Sequence, residues 1–403
     1  MDTRTGGATL YVTPRLIGIP LAGVAFSAAL AALAALACAK PPALGQPLRD
    51  LSQSQREQFE QGKVAFTRTF APEDGLGPLF NSTSCSECHE SPATGGVGDE
   101  IETHATVLRP DGTCDLLLDK GGFVFQLHTT PALKKATGLD AAPIPAEAKV
   151  HAHRTTPSLF GFGLLDAVPE SEILERADPD DKNGDGISGR PNRFTDGRLG
   201  RFGRKAFVPT LLDFTEGAYL IEQGITNPAM PQEISIGGKP IPPGVDPVPD
   251  PEITAEVVGV TNTFLRFLAP PSPMGVTAES RRGEDIFERV GCVACHVPRL
   301  RTGGDHFEKA LRHKTVAAYT DLLLHDMGPE LADICLGLAT PSEFRTEPLM
   351  GLRFREHFLH DGRATTVDAA IRAHAGEATA ARDHFNTLPD ADRKALLAFL
   401  GTL

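Results

Sequence analysis

The chain has 403 residues, 41% of them hydrophobic and 23% charged, with a formal net charge of −13. That length leaves room for two or three domains with cores of their own, and the composition is that of an ordinary globular protein. The acidic balance speaks against nucleic acid as a partner, since phosphate binding needs a basic face, and suits a basic electron-transfer partner.

Arg4 and Arg15 come before an apolar run from Leu16 to Cys38 that ends in small residues. This pattern predicts an export signal over residues 1–38. Two cleavage readings stay open. Ala37-Cys38-Ala39 fits an ordinary signal peptidase, whereas Ala35-Leu36-Ala37-Cys38 fits a bacterial lipobox. In the second reading Cys38 carries a lipid anchor in the outer membrane. Both place the mature protein in the periplasm. Residues 39–51 read as a Pro-rich tether, and helical periodicity follows from Ser54 to about Phe66, with Phe59, Val64 and Phe66 as buried positions.

Next comes Cys85-Ser86-Glu87-Cys88-His89, and the same pattern returns at Cys292-Val293-Ala294-Cys295-His296. Two cysteines separated by two residues, with a histidine directly after, form the attachment signature of c-type haem. Each thiol adds across a vinyl group, and the imidazole lies under the iron. Chance supplies on the order of a few thousandths of one such match here, so two matches outweigh a redox dithiol or half a zinc site. The cofactor expectation is therefore two covalently bound haem c, with His89 and His296 as proximal ligands. Cys114 and Cys335 remain, either as a disulfide or as two separate buried thiols.

Repeats flank both motifs. Gly62-Lys63-Val64-Ala65-Phe66 comes before the first and Gly283-Glu284-Asp285-Ile286-Phe287 before the second. Further on, His153-Arg154-Thr155-Thr156-Pro157 is echoed by Phe344-Arg345-Thr346-Glu347-Pro348. Repetition on this scale predicts a duplicated unit. The expected fold is mainly α, with one cytochrome c-like haem domain over 52–272, carrying long loop insertions, and a second over 273–403. In one insertion Asp181, Asn183 and Asp185, followed by Gly186, match the first half of a calcium loop, but Asn192 stands where a bidentate Glu belongs. A Ca2+ loop outside the EF-hand pattern and a plain Asp/Gly-rich turn both remain open. Gly237 to Pro251 reads as a loop. Asp390 is placed to cap a last helix with Leu396, Leu397 and Leu400 on its apolar face.

The distal side of each haem decides function, because a closed six-coordinate iron passes electrons and an open one binds a substrate. The candidates are His104, His128, His151, His153, His325, Met327, Met350, His357, His360 and His374. Spacing favours one of them. Thr365 or Thr366 can cap a helix that sets Val367, Ala370, Ile371 and His374 on one face, which makes His374 the expected distal ligand of the second haem.

Phe358-Leu359-His360-Asp361-Gly362-Arg363 resembles the C-terminal haem domain of bacterial di-haem cytochrome c peroxidases and the MauG group. The closer resemblance is to the di-haem oxidoreductase family, whose members are called peroxidases or thiol oxidoreductases. It rests on Ser158-Leu159-Phe160-Gly161-Phe162-Gly163-Leu164-Leu165-Asp166, on Asp185-Gly186-Ile187-Ser188-Gly189-Arg190, on Arg201-Phe202-Gly203-Arg204-Lys205-Ala206 and on Tyr319 to Gly328. The resemblance spans roughly residues 50 to 403. It implies that electrons enter at the C-terminal haem and that hydrogen peroxide is reduced at the N-terminal one. It also places a distal ligand at the position of His374, where the relatives use Met or Tyr. Two departures stand out. The relatives carry a Trp between the haems, and this chain has none. They also carry an acidic residue beside an Asn-Pro stretch; here Gly224 to Met230 matches that stretch, with Met230 at the acidic position. Glu233 or Glu222 is left to serve as the acid/base.

Two functions follow. One is an exported di-haem c-type oxidoreductase, peroxidase-like, served by a small cytochrome c or copper protein as electron donor or acceptor. The other is a pure electron-transfer di-haem cytochrome c without a substrate site.

Overall fold

The computed structural model describes residues 42–403, together with Met1, Thr3 and Gly6. The expected export signal, including Arg4, Arg15 and Cys38, lies outside the described residues. From Pro42 the supposed tether packs onto the protein. Leu44, Leu48 and Leu51 join the largest core, and the Leu48 amide donates to the Phe267 carbonyl at 2.9 Å.

Two helix pairs frame the structure. Helix α1, Gln53–Phe66, starts at a capping box in which the Ser52 hydroxyl accepts from the Gln55 amide and the Gln55 side chain returns a bond to the Ser52 amide. Its inward face is Phe59, Gly62 and Phe66. Val64, expected to be buried, is 71% exposed, because it sits on the opposite side of the helix from that stripe. Helix α2 is Leu211–Gln223 and helix α3 is Ala255–Phe267; α1 packs along α3. Helix α4, Ala278–Arg289, α5, Val367–Ala373, and α6, Asp390–Leu400, build the C-terminal part, where α4 packs along α6. Pro389 occupies the cap of α6, and Asp390 instead opens its first turn, where its charge favours the helix dipole.

The two pairs share a device. A Cβ added at Gly62 would lie 2.0 Å from the Val260 carbonyl oxygen, and one at Gly283 would lie 1.9 Å from that of Ala395. Only glycine lets the backbones approach so closely. Four residues beyond each glycine a phenylalanine turns toward the adjacent Cys-x-x-Cys-His histidine, Phe66 to His89 at 6.1 Å and Phe287 to His296 at 6.4 Å between ring centroids.

To the mainly α expectation the structure adds strands. Among the described residues several small antiparallel sheets fill the loops. The largest places β1, Ile101–Ala105, between β2, Val124–Phe125, and β3, His151–Thr155, with Glu102 opposite Arg154. Further on, β4, Leu324–Asp326, pairs with β5, Glu343–Arg345, placing His325 opposite Phe344. The repeated Arg-Thr segments are therefore strands: Arg154 ends inside β3 and Arg345 inside β5, each only 5% exposed.

Those arginines sit in two buried charge clusters. Arg154 and Lys205 pair with Asp333, while Arg204, Arg345 and Arg355 converge on Glu347. Removing one partner from such a network leaves an uncompensated charge, which costs several kcal/mol. The largest apolar core likewise joins Phe59, Phe66, Phe264 and Phe267 to Leu300, Val316 and Leu322, from both sides of Pro270 to Pro273. A second core gathers Ile286, Phe287, Phe385, Leu396 and Phe399. Cys114 and Cys335 form a disulfide that closes a span of 221 residues.

Two candidate haem sites

Cys85–Cys88 form one short helical turn. It opens at Ser84, whose hydroxyl accepts from the Ser86 amide at 3.1 Å. His89 follows, and its Nδ1 faces the Gly96 carbonyl at 3.1 Å. A carbonyl only accepts, so Nδ1 carries the proton, the tautomer whose Nε2 can ligate a metal. Burial, opposed by the bonds to the Gly96 and Pro157 carbonyls and by the Glu102 charge, holds the His89 pKa below its ordinary value. Cys85 Sγ accepts from Gln223 Nε2 at 3.2 Å. Burial pushes the Cys85 and Cys88 thiols up to about 11 and about 12.

The second motif repeats this arrangement. Cys292–Ala294 is a 3-10 turn, and His296 Nδ1 donates to the Tyr319 carbonyl at 2.9 Å. Burial pushes His296 down to about 4 against that bond, and His374 adds a second imidazole close enough to act on it. Thr366 caps α5 by accepting from the Ala369 amide at 3.1 Å, and the helix ends at Ala373. His374 thus stands at the C-cap. Its Nδ1 donates to the Ala370 carbonyl at 2.7 Å, which again leaves Nε2 free. These residues fit a haem: two free thiols per motif, and three imidazoles each with its Nδ1 on a backbone carbonyl.

The other candidates are spent elsewhere. Buried His325 is gripped between Asp321 and Glu377, each at 2.8 Å, with Cys295 Sγ 3.6 Å away. Burial works against its charge, but the bonds to Asp321, Cys295 and Glu377 outweigh that and hold it up to about 12. His360 stacks on Phe344 at 4.2 Å beside Asp333. Burial, joined by the Arg154 charge, pushes it down to about 4. His104 bonds Glu102 at 2.9 Å, His151 the Ala148 carbonyl and His357 the Gly362 carbonyl. His128 and His153 are exposed, Met327 is half-buried, and Met350 belongs to the largest core.

The two carboxylates considered for acid/base work part company. Glu222, near the end of α2, accepts from Asn81 Nδ2 at 2.7 Å and acts electrostatically on both thiols of the first motif. Burial, with the charge of Glu102 added, holds its carboxyl well above the usual range. Glu233 instead joins Asp246, Asp250 and Glu252, with ligand oxygens all within 4.8 Å of one another. Burial and these like charges push Glu233 up to about 9; burial, foremost, takes Glu252 to about 7. Asp181, Asn183 and Asp185 share one exposed turn in which Asp181 accepts from the Gly186 amide and Asn183 bonds Asp185. Glu102 and the His325 clamp were not anticipated. Glu102 was readable only as one residue of a short strand.

Two half-buried imidazoles, each following a pair of free thiols, define a protein built around two haems. The comparisons agree. The family model described as "Di-haem oxidoreductase, putative peroxidase" matches residues 145–403, so the chain belongs to the di-haem oxidoreductase family and is a redox enzyme of two haems. No curated protein matches. Among solved structures, hydrazine synthase of Kuenenia stuttgartiensis is 15% identical, with 97% of this chain and 100% of that chain covered and a TM-score of 0.41. A MauG-like protein associated with microbial copper homeostasis is 16% identical over 90% and 94%, at 0.38. The di-haem peroxidase BthA of Burkholderia thailandensis is 16% identical over 91% and 89%, at 0.40.

Proposed function

We propose that this is an exported, peroxidase-like oxidoreductase made of two duplicated cytochrome c-like halves, 52–272 and 273–403. Haem c is tethered by Cys85 and Cys88 over His89, and by Cys292 and Cys295 over His296. Such a group supplies one-electron chemistry, with its potential set by its axial ligands and surroundings. His296 and His374 would hold the C-terminal haem, whose one-electron chemistry would make that half the entry point for electrons from a small cytochrome c or copper protein. Peroxide, or another oxidant or substrate, reacts over His89.

One observation supports this division: His374, at the C-cap of α5, has its Nδ1 bonded to the Ala370 carbonyl and so keeps Nε2 for a metal, as His296 does with its Nδ1 on the Tyr319 carbonyl. Glu222, kept protonated by burial and by Glu102, is the group suited to hand a proton to a reacting oxygen. The N-terminal signal, with a lipid on Cys38 as one outcome of cleavage, places the protein in the periplasm. Among the described residues no helix is long and apolar enough to cross a membrane. A Ca2+ ion at Asp181, Asn183 and Asp185 belongs to the same proposal.

The test is spectroscopic. Protein matured with both haems should show one low-spin bis-histidine haem and one high-spin or exchangeable haem that reacts rapidly with peroxide. Two low-spin haems inert to peroxide would instead leave the pure electron-transfer reading.

A further inference from the structure

The His325 clamp lies where the two ends of the second site meet. Both of its ring nitrogens face carboxylate oxygens, Asp321 Oδ2 and Glu377 Oε2, each at 2.8 Å. Carboxylates only accept, so this geometry is satisfied by an imidazolium that donates from both nitrogens. The same Nδ1 that holds Glu377, three residues past His374, lies 3.6 Å from Cys295 Sγ, within the motif that holds the haem, while Nε2 on the far side of the ring meets Asp321.

Glu377 is itself fixed from three directions. Besides His325, it accepts from the Ser188 hydroxyl at 2.6 Å, the Ser188 amide at 3.1 Å and the Asp326 amide at 3.3 Å. The turn it belongs to, Gly376–Ala378, lies directly on the end of β4: a Cβ at Gly376 would stand 2.1 Å from the Asp326 carbonyl oxygen. His374 itself has two further ties, its Nδ1 to Ala370 and its carbonyl to Arg382 at 3.0 Å. The segment bearing His374 is therefore held by its own helix, by Arg382, and through Glu377 by a cation seated beside the haem tether.

We propose that His325 is a positioning residue for His374, a latch that fastens the distal-ligand segment to the haem-attachment turn and keeps the second haem six-coordinate. It rests on the reading of His374 as distal ligand. The latch also gives Ser188, in the insertion of the N-terminal half, a part in ligation at the C-terminal haem.

The test uses full-length protein carrying both haems, with carbon monoxide binding to the reduced second haem as the probe, since the gas enters only when His374 lets go. His325→Gln should raise the rate of carbon monoxide association about tenfold, the shift given by losing one charge-assisted hydrogen bond, and a high-spin fraction should appear. Glu377→Gln, which loosens the latch from its other end, should do the same. The double variant should be little worse than either single one, because both act through one contact. Haem content and the first haem's spectrum serve as the control for folding, and Glu377→Gln carries the test should His325→Gln fail to mature. His374→Ala separates the two ideas. If it opens the second haem and the latch variants do not, the latch is wrong and the ligand assignment stands. If it leaves the second haem low-spin, the assignment fails and the latch with it.

Discussion

Around His89 and around His296 the chain builds the same frame. A helix with a glycine at its point of closest approach ends near a phenylalanine that faces the histidine, and a backbone carbonyl fixes Nδ1. What lies beyond the histidine differs. His296 has His374 and the clamped pair His325 and Asp321 acting on it, whereas His89 has Glu102, whose charge also acts on Glu222. An imidazole with a free lone pair closes a metal site, and a protonated carboxyl leaves it open and supplies a proton. The shared frame therefore accounts for how each motif's histidine is held, and the difference in a few side chains for why the two sites need not do the same work.

The sharpest way to break this contrast is Glu222→Gln, which keeps the bond from Asn81 and removes the proton. Peroxide turnover should fall about 10²- to 10⁴-fold, the usual contribution of a positioned acid, while the spectrum of the second haem stays as it was. Unchanged turnover would mean that the carboxyl beside the first site has no part in the chemistry. A second prediction concerns the join between the halves. Cys114→Ser opens the 221-residue span closed by the disulfide and should lower stability by about 2–4 kcal/mol in denaturant unfolding. If the loss is confined to a separate transition of one half, the shared core does not couple them.

How far the sequence led depends on how local each feature is. The Cys-x-x-Cys-His pairs, the Gly-to-Phe spacing and the Thr366 cap are decided within a few residues, and each was readable. Val64 was misplaced because periodicity alone gives a helix two plausible apolar edges until its partner helix is known. The small sheets escaped notice because their strands run two to five residues, too short for alternation to stand out from loop. Asp321 and His325 are four apart and visible as a pair, but Glu377, which completes the clamp, comes from the far side of α5. The surroundings of Glu233 were hidden for the same reason: its neighbours Asp246, Asp250 and Glu252 arrive on a Pro-rich loop whose path no local pattern reveals.

The matched glycines provide a test of equivalence. Gly62→Ala and Gly283→Ala each force a methyl to within about 2 Å of a carbonyl oxygen, so the helices must separate. Each should cost about 1–3 kcal/mol, the range for overpacking a close contact, measured by chemical denaturation. Similar losses would mark both helix pairs as the same structural element. A silent Gly62→Ala would show that the first pair has slack, as a site meant to open would need.

The smallest effect is expected at Glu233, and there the sign can be worked out. Its carboxyl ordinarily titrates near 4.5 and in the fold is pushed up to about 9, by burial first and then by Glu252, Asp246 and Asp250. Between those values the unfolded chain has released the proton and the folded protein still holds it. The raised pKa therefore favours folding fully below about 4.5, and that contribution is lost as pH climbs toward 9. Glu233→Gln mimics the protonated form at every pH. In chelator-containing buffer its melting temperature should match the parent near pH 4 and exceed it by about 2 °C or more near pH 9. A gap that fails to widen with pH would mean that the like charges around Glu233 are relieved in some other way.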